Sequence, residues 1–311
     1  MIIKVLGSAA GGGFPQWNCN ARLSRLGWEK RNGVTPRTQS SIAVSADGSR
    51  WVVFNASPDI RQQIAATPEI QPQPEGALRN SPISAVVLTN ADVDHIAGLL
   101  SLRERQPFAI YAAQRVLDTL AANSIFNVLA ADVVPRRELD LSGGPVRING
   151  PEGDVGVTVE AFAVPGKVAL YLEDASKDGD FGSEEGDTIG LRITTAGSDS
   201  VLCYIPGCAR ADAGVVDLVR WADCLLFDGT VYTDNEMAEA GVGQKTGLRM
   251  GHVPISGENG SLHAFSDAGI KMRAYIHINT TNPILEPGSD AERTVKAAGW
   301  EIAYDGMTIE L

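Results

Sequence analysis

The stretch that decides the fold is Leu88–Leu100, LTNADVDHIAGLL. It follows an apolar run, ISAVV at 83–87, that reads as a buried strand. Asn90, Asp92 and Asp94 stand at alternate positions and His95 follows at once, a string suited to holding a metal ion. An EF-hand calcium loop would account for the three oxygen-bearing residues. It fails on its glycine position, which is His95, and on its glutamate position, which is Ser101. A strand also precedes the string where an EF-hand needs a helix. What remains is a strand, a ligand-bearing turn ending in Asp-His, and a helix start at 96–104, IAGLLSLRE.

Composition narrows the setting. The chain has 311 residues, 44% apolar and 21% charged, which fits a soluble globular protein with a sizeable core. The formal charge of −12 argues against a nucleic-acid backbone as partner, because phosphate binding needs clustered Lys and Arg. No apolar run reaches the roughly 18 residues of a membrane span. The N-terminal MIIKVLGSAAGGGF lacks a secretory h-region, so a cytoplasmic location is expected. Cys19, Cys203, Cys208 and Cys224 form no C-x-x-C pair and are expected to be reduced thiols. Any imidazole site must draw on His95, His252, His263 and His277, since the chain has only these 4 histidines.

Short β-like runs fill the chain, at 2–8, 40–45, 51–57, 83–89, 108–113 and 146–150, then at 157–164, 168–174, 188–195, 200–206, 223–229, 273–279 and 300–306. Helical patterns are expected at 114–129, 213–222, 261–268 and 290–298. With no evident repeat or linker, this order predicts one α/β domain over 1–311, two mixed sheets packed together with helices outside. Two segments look irregular, Gly11–Pro36 and the acidic Glu173–Asp187; one of them is a candidate cover for an active site. GSAAGGGF lacks the G-x-G-x-x-G spacing and opens no helix, so it is not read as a dinucleotide loop.

The strand, Asp-His turn and helix start resemble the metallo-β-lactamase superfamily, whose motif is H-x-H-x-D-H; here it reads Asn90-x-Asp92-x-Asp94-His95. Longer strings carry a closer resemblance. They include GSAAGGGFPQWNCN at 7–20, NASPDIRQQ at 55–63, VPGKVALYLED at 164–174, DGTVYTDNEM at 228–237, GHVPISG at 251–257 and IHINTTNPIL at 276–285. Together these are similar to the coenzyme PQQ synthesis protein B family over nearly the whole chain. The resemblance implies a four-layer αββα sandwich and a role in making pyrroloquinoline quinone (PQQ) from a small precursor derived from a Glu-Tyr peptide. The expected partners are that precursor and the other PQQ biosynthesis proteins, and a homodimer is compatible with the sequence. Many members carry two further cysteines after WNCN that complete a structural zinc site. Ala21 and Ser24 stand in their places, so that zinc site is expected to be absent.

The same resemblance divides the opening string in two. Of the superfamily's two metal positions, one falls on Asn90, Asp92 and Lys167. A charged lysine has no lone pair to offer, so Lys167 is expected to replace that metal and pair with Asp92. The other position keeps Asp94, His95 and His277, two imidazoles and a carboxylate. One divalent ion is expected there, with Fe(II) favoured as in a facial triad and zinc compatible with the donors. Asp92, Cys208 and Asp228 are further candidate ligands or orienting partners. His252 and Asp92 are candidate acid/base groups, and Lys167, Arg249 and Asn279 are candidate substrate contacts. His263, Cys203 and Cys224 read as structural. The expected activity is Fe(II)/O2-dependent hydroxylation of the tyrosine-derived ring. The alternative is soluble carriage of PQQ or its precursor toward export, and metal-dependent hydrolysis is disfavoured because no second metal is expected to activate water.

Overall fold

In a computed structural model, which describes residues 1–177 and 182–311, the chain forms two seven-stranded sheets. The first is built from β1 (Ile2–Gly7), β2 (Ser41–Ser45), β3 (Trp51–Phe54), β4 (Ile83–Val87), β5 (Ala109–Ala112) and β6 (Arg136–Glu138). The second holds β7 (Val146–Gly150), β8 (Gly153–Ala163), β9 (Ile189–Thr195), β10 (Leu202–Ile205), β11 (Cys224–Asp228), β12 (Met272–Ile276) and β13 (Glu301–Ile302). The last strand, β14 (Thr308–Glu310), returns to the first sheet and pairs antiparallel with β1.

Strand residues alternate between two apolar environments, as period-two geometry requires. In β3, Val52 and Phe54 face the opposite sheet while Trp51 and Val53 face outward. In β11, Cys224 and Leu226 point inward while Leu225 and Phe227 point outward. Both faces are covered, so the strands read as continuous apolar runs. The central core between the sheets takes residues from each of them. α1 (Arg22–Trp28) sends Leu23 into the cluster outside the second sheet. Outside the first sheet pack α2 (Ile60–Ala66), α3 (Val93–Ile96) and α4 (Gln114–Ala122). Outside the second pack α5 (Ala213–Val219) and α9 (Asp290–Ala297). Between these two in sequence come the short helices α6 (Glu236–Glu239), α7 (Gly247–Met250) and α8 (Ser261–Ala264). The result is an α/β four-layer αββα sandwich.

Several expectations shift. The pattern at 114–129 splits: α4 ends at Ala122, Asn123 turns extended, and a 3-10 turn covers Ser124–Val128. The run at 168–174 is not a strand but a 3-10 turn at Leu170–Leu172. Sheet pairing explains why: its neighbours along the chain, β8 and β9, are each already paired on both sides, β8 with β7 and β9, and β9 with β8 and β10. Gly11–Pro36 is not wholly irregular, since it contains α1. Part of the acidic 173–187 segment, residues 178–181, lies outside the described residues. The architecture also repeats where the sequence does not. In each sheet an antiparallel portion (β1–β3, β7–β10) leads into a parallel one (β3–β6, β10–β13).

The parallel portions decide where chemistry sits, because their strands all present carboxyl ends to one edge. The Asp-His turn follows β4, and Asp228 and His277 end β11 and follow β12. The turn is locked against the end of β3, where Gly98 N–H donates to Ala56 O at 2.9 Å and Ala56 N–H donates to His95 O at 2.8 Å. A Cβ on Gly98 would lie 2.0 Å from Ser57 O and 2.7 Å from Ala56 O, both backbone atoms. Gly98→Ala should therefore destabilise the fold by about 2 kcal/mol or more, read as a lowered urea midpoint and, with it, weaker metal retention.

Candidate metal centre

At this edge Asp94, His95 and His277 bring one ligand atom each within 4.8 Å of one another. Asp94 Oδ2 lies 3.0 Å from His277 Nε2 and 3.7 Å from His95 Nε2. His95 Nδ1 is 3.4 Å from Thr89 Oγ1, which leaves Nε2 facing the cluster. That Nε2 is buried and has no hydrogen-bond partner among the described residues. Burial pushes the His95 pKa down to about 4 despite the Asp94 charge, so the ring is neutral with its lone pair bare.

His277 is wired from the other side. The Thr230 hydroxyl donates to Asp228 Oδ1 at 2.6 Å and faces His277 Nδ1 at 2.8 Å. Because that proton goes to the carboxylate, the Thr230 oxygen accepts from His277 Nδ1–H. His277 Nε2 then turns a lone pair toward the Asp94 carboxylate. Two lone pairs and a carboxylate facing one another repel unless a cation sits among them. Burial opposes charging His277, but the Asp94 hydrogen bond and the nearby carboxylates more than offset it, and its pKa is raised. Burial likewise pushes Asp94 up, yet His95 and the His277 hydrogen bond hold it well below the usual carboxylate range. A proton is drawn to the gap, and a divalent ion fits it by the same electrostatics.

Asp228, fully buried, is the hub beneath the site. Its Oδ2 takes His252 Nδ1–H at 2.7 Å and Cys208 N–H at 2.8 Å, and its Oδ1 takes Thr230 N–H at 3.0 Å. Asp228, His252 and His277 form a second convergent group. Gly229 makes this possible: a Cβ there would meet Tyr275 Cβ at 2.8 Å and Ile276 O at 3.1 Å, so only glycine lets β12 close on Thr230. His277 itself holds a left-handed backbone, φ 60°, a strained conformation of the kind found at functional sites. A cavity of about 240 Å³ opens over these groups; Asn90, Asp92, Lys167, Lys245, His252 and Asn279 are among its lining residues.

Other expected site residues take different places. The expected pairing of Lys167 with Asp92 is corrected: Lys167 Nζ donates to Glu173 Oε1 at 3.0 Å, and Asp92 Oδ1 instead accepts Leu170 N–H at 3.2 Å. Lys167 still lowers the Asp92 pKa electrostatically, but burial and the Asp94 charge outweigh it and the net shift is upward. Arg249 grips the same Glu173 with both guanidinium nitrogens, at 3.1 and 2.8 Å. Cys208 as a ligand is also corrected: its Sγ donates to Arg210 O at 3.2 Å, and only its backbone N–H serves Asp228. Burial raises the Cys208 thiol to about 12. Asn90 Oδ1 caps the turn by accepting Asp92 N–H at 3.0 Å. His263 lies exposed on α8, and Cys203 and Cys224 are buried in β10 and β11. Ser24, at the altered cysteine position, faces Thr280 Oγ1 at 2.9 Å.

Thr230, Glu173 and Glu236 escaped the sequence reading. Asp228-Gly229-Thr230 was the available signal for Thr230; the glutamates had none, since Arg249 lies 76 positions from Glu173 and Thr281 lies 45 from Glu236. Asn279 Nδ2 donates to Thr281 Oγ1 at 2.7 Å, whose hydroxyl donates to Glu236 Oε1 at 2.6 Å.

A beta-lactamase superfamily domain model matches residues 50–278. The chain is 50% identical over 311 residues to coenzyme PQQ synthesis protein B of Methylorubrum extorquens strain PA1, covering 100% of both. It is 48% identical over 311 residues, again 100% of both, to the protein of that name from Xanthomonas oryzae pv. oryzae. Zn(2+)-bound PqqB from Methylobacterium extorquens superposes with a TM-score of 0.93 at 50% identity over 100% of each chain. A diphosphatase of the PhnP family, TM-score 0.66 at 18% identity over 100% of this chain and 97% of that one, shares the fold alone. Fold and centre thus define a protein of the metallo-β-lactamase superfamily. Within it, the chain belongs to the coenzyme PQQ synthesis protein B family.

Burial raises Glu236 to about 7 from a usual 4.5. A carboxyl raised in this way favours folding while protonated. Its contribution is full below about pH 4.5 and is lost as pH rises through about 7. Glu236→Gln should remove roughly 2–3 kcal/mol of the stability that the parent loses between pH 5 and pH 8, measured by urea unfolding at both values.

Proposed function

We propose that this chain acts in PQQ biosynthesis as a metal-dependent oxygenase, hydroxylating the tyrosine-derived ring of the PQQ precursor. Its place in PQQ synthesis follows from its family. The observation that carries the oxygenase reading is the convergence of Asp94, His95 and His277 on one gap whose donors suit a divalent cation. This donor set would hold one divalent ion. Two imidazoles and one carboxylate suit Fe(II); zinc, which the Methylobacterium relative carries, also fits them. Bound Fe(II) would supply activation of O2 beside the substrate.

The chain's own residues prepare the rest. Asp228 fixes His252 with Nδ1–H bound, so Nε2 is the free acceptor on the cavity side, placed to take a phenolic proton. Thr230 couples His252 and His277 through the same carboxylate, keeping both rings in one orientation. Lys167 and Asn279 line the cavity as substrate contacts, and Asp92 anchors the turn at Leu170 above it.

The test is anaerobic Fe(II) loading, then O2, with mass spectrometry of a tyrosine-derived diol. Gain of oxygen by the diol is expected. His277→Ala should abolish it and strip the ion, while Asp228→Asn should weaken metal retention about 10–100-fold. Full hydroxylation by the His277 variant would overturn the assignment, and tight PQQ binding with no O2 consumption would assign soluble carriage instead.

A further inference from the structure

We infer that Lys167 and Arg249 form a carboxylate-binding subsite at the rim of the cavity, occupied by Glu173 until a carboxylate-bearing small molecule displaces it. The inference rests on the reading that the cavity admits a small substrate. Both oxygens of Glu173 are taken by the Arg249 fork, at 3.1 and 2.8 Å, and Oε1 also by Lys167 Nζ at 3.0 Å. A guanidinium fork and an ammonium converging on one point is an arrangement that takes a bidentate anionic group, and the group it holds here is a carboxylate. The Arg249 hydrogen bonds hold the Glu173 carboxyl down at about 2, so it competes as an anion.

Lys167 belongs to the cavity wall that also includes Asp94, His252 and His277. A ligand carboxylate on Lys167 would therefore carry the rest of its molecule over the metal-holding side chains. Lys245 lines the same wall and adds to the positive rim.

Glu173 arrives on a segment that buries little. Leu170, Tyr171 and Leu172 before it are 56%, 44% and 42% exposed. The segment is tied down by polar contacts, Leu170 N–H to Asp92 and Tyr171 O–H to Ala91 O at 2.8 Å. Releasing it exposes little new apolar surface. Exchange of one carboxylate for another also strands no charge, because both cations keep an anionic partner and Glu173 gains water. The cavity of about 240 Å³ is below the roughly 300 Å³ at which ligand pockets begin; withdrawal of Glu173 would enlarge it.

The probe is benzene-1,3,5-tricarboxylate, with the uncharged benzene-1,3,5-trimethanol as control, titrated calorimetrically into the full-length chain with and without zinc. Glu173→Gln should bind the tricarboxylate about tenfold or more tighter than the parent, the scale of one charge-assisted hydrogen bond, with the control unchanged. The gain should vanish in Glu173→Gln/Arg249→Gln. Should that pair fail the circular-dichroism check of folding, Glu173→Gln/Arg249→Lys replaces it; it keeps the charge, loses the fork, and should lose most of the gain. Equal affinities for parent and Glu173→Gln, or a gain that survives without the Arg249 fork, would overturn the inference. No oxygen chemistry enters the measurement, so it succeeds or fails independently of the oxygenase reading.

Discussion

Thr230 Oγ1 sits 2.6 Å from Asp228 Oδ1 and 2.8 Å from His277 Nδ1, and the direction of its single proton organises the whole centre. A hydroxyl that donates to the carboxylate must accept from the imidazole. His277 is thereby left with its Nε2 lone pair turned on Asp94, while His95, fixed through Thr89, adds a second bare nitrogen. A buried cluster of this kind is balanced only by a proton or another cation held among its donors. Its need for a cation comes from hydrogen-bond bookkeeping as much as from ligand identity.

The sheets make that wiring affordable in geometric terms alone. Parallel pairing of β11 with β12 sets Asp228 level with Ile276, one residue before His277, and Gly229 allows the backbones to close. Parallel pairing of β3 with β4 puts the Asp-His turn against Ala56. Residues 183 positions apart, Asp94 and His277, meet because two separate sheets offer their carboxyl ends to one edge.

Charge around the cavity is arranged differently from the simplest substitution picture. If Lys167 replaced a lost metal, its ammonium would bind Asp92. Instead Glu173 intervenes and draws both Lys167 and Arg249 to the rim, leaving Asp92 to accept the Leu170 N–H. The displacement has a physical cause. A carboxylate that accepts an Arg fork and a Lys together gains more than one shared between Lys167 and the already like-charged Asp94 neighbourhood.

The sequence by itself determined the alternation of apolar residues, the strand-rich order, and the Asp94-His95 pair in its turn, because these depend on local period and on adjacent residues. Motif resemblance extended this to His277 and to the four-layer fold. Only the tertiary structure decided that 168–174 leaves the sheet, since that outcome depends on which strand edges are already taken. It alone showed Cys208 serving Asp228 through its backbone with the thiol turned away, and Glu173 claiming Lys167 and Arg249. Contacts of this kind arise between residues that meet only after the chain has folded, and their geometry leaves no periodic trace in the order of amino acids.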